Sequence, residues 1–429
     1  MDGLPSFILD NPNFWLVTAG TVLLSISSAL VGTFTFLKKK SLIGDAVAHS
    51  VLPGICLAFI ISGNKDPLWI IMGAFISGWI SILSIDFITN NSRIKEDTAI
   101  GLVLSVFFGF GIMLFVAIQH SGNPNQSGLN NFLFGNAASL IGKDLITFSA
   151  LSLLLVFIVF IFYKEFKLMT FDRQYARTIG LPLKLMEFIL STLTVLAIVA
   201  GIQAIGVVLM AAMLITPAAA AKFWTDRLFY MLILAALFAS LSSFAGAVIS
   251  FMAPAMPTGP WIVVVISLIA MLSFFIAPGK GIINKWWRKR QNQLKILEEN
   301  ILKTFYLLGE SGAEAQNGRS IEDLNKRRPW KKAVLMKGLS RLKNQGFLVF
   351  RNGHWYLTKI GLSKGQRVVR LHRLWELYLT EYLKIAPDHV HEDAETIEHV
   401  ITPELEKSIM NKLGFPELDP HQSKIPYTN

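Results

Sequence analysis

Up to about residue 280 the chain is a succession of apolar runs of roughly 20 residues separated by short polar breaks, and few folds accommodate that spacing. A helical run of this length matches the hydrocarbon thickness of a bilayer, and in lipid every backbone polar group must be satisfied within the chain. An all-α polytopic membrane protein is therefore expected over this part. Composition agrees, with 52% hydrophobic and 16% charged residues, and the charge is concentrated toward the C-terminal end. After Trp286 and Trp287 the text becomes that of a soluble domain. The single cysteine, Cys56, lies within an apolar run, so no disulfide framework exists.

Basic clusters orient the runs. The opening stretch MDGLPSFILDNPN carries acids and no basic side chain, so it does not read as a secretory n-region, and residues 14–37 are expected to stay as a span. Lys38, Lys39 and Lys40 follow, and the positive-inside rule assigns them to the cytoplasm and the N-terminus to the outside. Further spans are expected at residues 45–62, 67–89, 98–118, 145–163, 186–200, 205–221, 229–252 and 261–277. With about nine spans, the basic stretches at 91–95, 164–184, 222–227 and 280–290 all face the cytoplasm, and the cation-free loops 120–131 and 254–260 face outward.

Residues 37–61, LKKKSLIGDAVAHSVLPGICLAFII, place Asp45 and His49 four residues apart at the start of the second run. About one helical turn separates them, so a carboxylate and an imidazole share a face and can bind one cation together. A charge inside a bilayer costs roughly 3 kcal/mol on insertion scales, and such residues usually face a cavity or pathway. Pro53 removes a backbone donor and Gly54 loosens the helix, so a kink is expected beside the pair. The same spacing also suits a cap at the membrane surface, and spacing alone does not separate the two. The phrase KKKSLIGDAVAHSVLPGICLAF closely resembles the signature of the membrane permease subunits of ABC importers for manganese, zinc and iron, with Gly44, Asp45, Ala46, His49, Leu52, Pro53 and Gly54 in register. That resemblance implies that Asp45 and His49 line the metal path.

Residues 163–182, YKEFKLMTFDRQYARTIGLP, read as a short amphipathic cytoplasmic helix with Phe171, Tyr175 and Ile179 near helical period. Such a helix suits docking on another protein, or lying at the membrane interface. Metal-type ABC permeases carry a phrase similar to FDRQYARTIGL where the ATPase subunit docks, which implies that role for Phe171, Asp172, Tyr175, Ala176 and Gly180. Glu96 and Asp97 are placed to cap the fourth span. No GxxxxGK[ST] phosphate loop occurs, so the chain is expected to bind no nucleotide and to be no enzyme itself. A separate ABC ATPase subunit, a second permease subunit and an extracytoplasmic metal-binding protein are implied, in the lipid of a bacterial plasma (inner) membrane. A secondary metal carrier would need no ATPase, but no internal repeat is visible. A membrane-tethered, metal-sensing transcription regulator would bind DNA without flux.

Beyond a basic juxtamembrane linker at 281–293, Leu294, Leu297, Ile301, Leu302, Phe305 and Leu308 share one helical face. Residues 320–324 and 330–345 read as two more helices, and the strands FLVF and HWYL flank Asn352 and Gly353, a type I′ hairpin signal. Three helices followed by a hairpin is the order of a winged helix-turn-helix, expected over 294–362. Lys331, Lys332, Lys337 and Arg341 on its third helix would offer phosphate contacts to DNA, and the same cations suit protein contact or anionic headgroups.

In the helical remainder, 363–429, the residues His391, Glu395, Glu398 and His399 recur at i, i+4, i+7 and i+8, while His372 and Glu376 lie a turn apart. Mixed imidazole and carboxylate donors suit manganese, iron or zinc, and a solvated helix face accounts for the same pattern. Residues 294–426 resemble the diphtheria-toxin-repressor and manganese-repressor family in HRLWELYL, HEDAETIEHVI, PELEKSIMNKLGFP and DPHQSKIP. The resemblance implies a dimeric, metal-activated DNA-binding module with ligands His372, Glu395, Glu398 and His399, and a second metal site at Glu376 and His391. Two positions depart: Asn300 stands where the family has an acid or methionine, and Lys303 where manganese-type members add an acid. A protonated lysine cannot bind the ion, so one site is expected to be incomplete. The whole is expected to be a metal permease over 1–280 fused to a cytoplasmic repressor-like domain.

Overall fold

The computed structural model describes residues 12–63, 66–120, 142–252, 257–310, 317–386, 390, 395, 397–399 and 401–427. The chain divides into two compact units, Met1–Asn284 and Lys285–Asn429, each with its own core.

The first unit is helical: α1 (Pro12–Leu37), α2 (Ser41–Ser50), α3 (Leu52–Ser62), α4 (Pro67–Asn91), α5 (Glu96–His120), α6 (Gly142–Ile161), α7 (Tyr163–Phe171), α8 (Arg173–Thr178), α9 (Leu183–Ile205), α10 (Val207–Trp224), α11 (Leu228–Met252) and α12 (Thr258–Ile276). Among the described residues seven helices are long and apolar enough to cross a membrane. The fifth expected run is the helix Ile146–Ile161, and Tyr163–Phe171, the start of the expected amphipathic segment, follows it at a bend of 63°; the seventh is the shorter Met210–Trp224. Two joints differ from expectation. The break beside Asp45 and His49 falls at Val51, one residue before the Leu-Pro-Gly step, while Leu42–Ser62 still reads as one span. Helices α9 and α10 meet at Gly206 alone rather than over 201–204, with φ at 98°, a conformation open to glycine.

Helix α1 occupies the centre, packed by α6, α9, α10 and α11. It is rich in buried hydroxyls, and most of these bond within the helix itself. Thr21 donates to Thr18 O at 3.1 Å, Ser27 to Leu24 O at 2.9 Å, Thr33 to Ala29 O at 2.7 Å and Thr35 to Gly32 O at 2.9 Å. Among the described residues Ser25 reaches across, to the Ser243 hydroxyl of α11. The outward faces of α4, α6 and α11 carry Phe87, Phe157, Phe160 and Leu241, all exposed, as a lipid-facing surface requires. Helices α3 and α4 cross glycine on glycine. A Cβ at Gly54 would lie 2.0 Å from Gly73 O, and one at Gly73 would lie 2.3 Å from Gly54 O.

The second unit uses α13 (Ile282–Glu310), α14 (Ile321–Arg327), α15 (Lys332–Asn344), β1 (Leu348–Arg351), β2 (His354–Leu357), α16 (Lys359–Tyr382) and α17 (Pro403–Leu413). Residues expected as a basic linker, 281–293, fall almost wholly within α13, because Lys, Arg and Gln are good helix formers and need no apolar period. The period starting at Leu294 marks where this helix begins to bury a face. Ile301, Leu302 and Phe305 then pack with Leu324, Leu335, Leu339, Leu342, Leu348 and Trp355 into one core. Ser320 and Asp323 form a reciprocal capping box on α14. Strands β1 and β2 pair antiparallel, Arg351 opposite His354, so Asn352 and Gly353 form the two-residue loop with φ of 49° and 80°, as a type I′ turn demands. This is the expected winged-helix order.

Candidate functional site

Asp45 and His49 both project from α2, the Nε2 atom of the imidazole 3.6 Å from Oδ1 of the carboxylate. Their side chains are 46% and 22% exposed in the span that is otherwise the most buried of the candidates. The imidazole lies edge-on to the Phe108 ring, centroids 5.0 Å apart, which sets its orientation. Its Nδ1 is buried and has no hydrogen-bond partner. An oriented ring with an unused nitrogen beside a carboxylate offers two donors to a cation. Among the described residues no third His, Cys, Asp or Glu joins them.

The stretch 163–182 forms two helices rather than one, with the break at Asp172, whose carboxylate accepts from Tyr175 N at 2.9 Å and caps α8. Phe166 and Met169 anchor α7 and Ala176 anchors α8, while Phe171, Tyr175 and Ile179 stand more than half exposed. Gly180 ends α8 with φ at 78°. An outward apolar face on a firmly seated helix is what a docking surface needs. Sequence reasoning missed the residue that ties this element to the rest. Glu187, near the start of α9, lies 3.3 Å from Lys38 Nζ and 3.1 Å from Arg173 Nη2. Lys40 pairs in turn with Glu96 at 3.0 Å, which gives that acid a partner besides the helix end it was expected to cap. The three-residue link between α1 and α2 is thereby ion-paired on both sides. The only signal for Glu187 was an isolated acid facing a basic loop.

In the second unit His372 and Glu376 of α16 meet at 3.1 Å, Nε2 to Oε1. His372 Nδ1 lies 2.5 Å from Glu398 Oε2, and His399 Nδ1 lies 2.7 Å from Glu299 Oε2, an acid of α13 that had not been singled out. Glu395 sits apart from this buried group, and its Oε1 accepts from Arg328 at 3.3 Å. His391 lies outside the described residues. The expected single helical stripe does not extend through the group, since Glu398 and His399 occupy a turn. Lys303 enters the centre and donates to both Glu398 oxygens, at 2.8 and 3.1 Å. Burial alone would raise the Glu398 carboxyl, but His372 and Lys303 outweigh it and hold it below its ordinary value. Burial would likewise lower His372, yet Glu376 and Glu398 hold it above. An ammonium at the focus of the donors, and an imidazole facing a carboxylate from each nitrogen, do not fit a divalent ion.

Lys331, Lys332, Lys337 and Arg341 at α15 are all exposed, and Arg341 also donates to Glu298 Oε1 of α13 at 2.6 Å, which ties the helix to its neighbour. Leu335, Leu339 and Leu342 fill the inner face.

Comparison with known proteins gives the family of each unit. The ABC 3 transport family matches residues 12–277, and the iron dependent repressor, metal binding and dimerisation domain matches residues 358–427. The manganese transport system membrane protein MntC of Bacillus subtilis is 39% identical over 379 residues, 88% of this chain and 86% of its own. The zinc transport system membrane protein TroC of Treponema pallidum is 41% identical over 278 residues, 65% of this chain and 93% of its own. A solved structure of PsaBC from Streptococcus pneumoniae in complex with Fab superposes with a TM-score of 0.57 at 31% identity, covering 65% of this chain and 96% of that one. On the match across its helical first unit, the chain belongs to the ABC 3 transport family and carries a repressor-like domain fused behind it.

Proposed function

We propose that the chain is the permease subunit of an ATP-driven importer whose cargo is a divalent transition metal, manganese, zinc or iron, in a bacterial plasma membrane. The observation that carries this reading is the Asp45 and His49 pair, exposed enough to meet an ion yet held within a buried span, with one ring nitrogen unused. A carboxylate with an imidazole accepts all three metals, so the pair sets a class of cargo and not one element. In this reading nine spans place the N-terminus outside and the repressor-like domain in the cytoplasm, in keeping with the positive charge at 38–40 and 285–290. A second permease copy supplies the missing donors, an extracytoplasmic protein delivers the ion, and an ATPase supplies the energy. The fused domain is the regulatory part. Its exposed Lys331, Lys332 and Lys337 are the residues that would meet DNA phosphates, with Arg341 serving the fold.

Docking of the ATPase is assigned to the face of Phe171, Tyr175 and Ile179, seated by Asp172, Ala176 and Gly180. Tyr175→Glu is expected to abolish co-purification of the ATPase subunit while the permease still folds and elutes as wild type. Retention of the ATPase by that variant would remove the docking assignment, and metal uptake with no ATPase at all would favour a secondary carrier.

Glu187 is expected to couple that face to the metal pair, because it binds Arg173 at the start of α8 and Lys38 just ahead of α2. Glu187→Gln keeps the shape and removes the charge. Uptake is expected to fall about threefold to tenfold, with ATPase binding unchanged. Equal uptake by mutant and wild type would leave Glu187 a bystander.

A further inference from the structure

The buried cluster of the C-terminal unit gathers Glu299, Glu376 and Glu398, with Glu395 at its edge, and such a concentration of carboxylates needs positive charge nearby. The charge is already present in the chain. Both oxygens of Glu398 are engaged by Lys303, at 2.8 and 3.1 Å, and the two side chains are 0% and 7% exposed. Arg328 Nη1 bridges Asn300 Oδ1 at 3.1 Å and Glu395 Oε1 at 3.3 Å. His372 lies between Glu376 and Glu398, and His399 Nδ1 faces Glu299, while His399 Nε2 stands 3.6 Å from Glu398, beyond hydrogen-bond reach.

We propose that Lys303 and Arg328 are the resident cations of this cluster, so that the C-terminal unit reaches its ordered state with no divalent metal bound there. A tethered ammonium is present at an effective concentration of the order of millimolar or above, whereas a free metal ion must arrive from solution. To bind, the metal would have to displace Lys303 from a buried pair and then share the site with its positive charge. Lys303, Arg328, His372 and Glu376 line an open cavity of about 530 Å³, so what keeps a metal ion out is the charge of the ammonium and not a lack of access. Lys303 therefore closes the cluster to the ion that its donor types would otherwise take. Reversing that one charge should open it.

The test is hydrogen exchange on the full-length protein in lipid nanodiscs, following peptides from α13 and α17 in chelator and in manganese chloride. Wild type is expected to show the same protection in both, within about twofold. Lys303→Glu is expected to exchange about tenfold faster in chelator and to regain protection in manganese. Lys303→Met, which removes the cation without adding a donor, should exchange fast in both. Wild-type protection that rises about tenfold with manganese and loses the rise in His372→Ala would overturn the proposal. So would a Lys303→Glu protein indifferent to manganese. The readout is confined to peptides of the C-terminal unit, so it does not depend on whether the first unit transports metal.

Discussion

Asp45→Ala and His49→Ala are each expected to cut uptake of the transported metal to below about a tenth of wild type, which is the effect of losing about 1.4 kcal/mol of ion stabilisation. The measurement is elemental analysis of manganese, zinc and iron in metal-starved cells carrying the full transport system. Only one of the three metals should collapse, and that metal names the cargo. The size of the effect follows from how few donors this chain contributes. Among the described residues the pair has no third acidic, imidazole or thiol companion, so removing one member halves the side-chain donors that this chain offers the ion. His49→Ala also frees the Phe108 ring that orients the imidazole, so Phe108→Ala should give a milder loss of the same kind. Assembly is checked by co-purification with the ATPase. Unchanged uptake in both variants would make the pair a helix cap, and the proposed path would fall with it.

A second large effect is expected at the crossing of α3 and α4. Gly54→Leu and Gly73→Leu should each prevent stable assembly, seen as aggregation on size exclusion in detergent and a protein level near background. Here the obstacle to a side chain is backbone: carbonyl oxygens at 2.0 and 2.3 Å from the Cβ positions, which no rotamer change can move. Overpacking of a core typically costs about 1–3 kcal/mol when side chains can yield, and a backbone clash lies beyond that range. The contrast is Gly101→Leu on α5, where a Cβ meets nothing within 4 Å and the protein should survive. If the Gly54 variant assembles as well as the Gly101 variant, the close approach of α3 and α4 is not required for folding.

The apolar runs were legible because length and hydropathy alone decide whether a helix can lie in lipid, and the expected runs fall on helical backbone, the second of them divided at Val51. Joints were harder. A proline advertises a break, yet the interruption falls at Val51, since Pro53 is tolerated in the first turn of the helix that follows. The bend after Ile161 has no proline or glycine beside it, and only the change from apolar text to the charged stretch beginning at Lys164 marks it. In the second unit the hairpin was legible to the residue, because Asn352 and Gly353 carry the positive φ values themselves. Donor types at 372–399 were legible too, and Lys303 stood out as a misplaced charge. That its ammonium lands on a carboxylate 95 residues away was not, because periodicity encodes faces of one helix and not pairings between distant ones. Glu299 and Glu187 escaped notice for the same reason.

The hydroxyls of α1 have a consequence for motion. Each of the four donors at Thr21, Ser27, Thr33 and Thr35 bonds to a carbonyl of its own helix, so donor and acceptor travel together when that helix moves. The central rod can therefore shear against α6, α9 and α10 without stranding any of those four polar groups in a medium that offers no substitute partner. The contact between Ser25 and Ser243 is the exception, a polar latch between α1 and α11, which also meet at the Phe14 and Phe251 rings. Sliding of α1 past α11 has to release that latch, while those four hydroxyls act as a lubricant built into the rod.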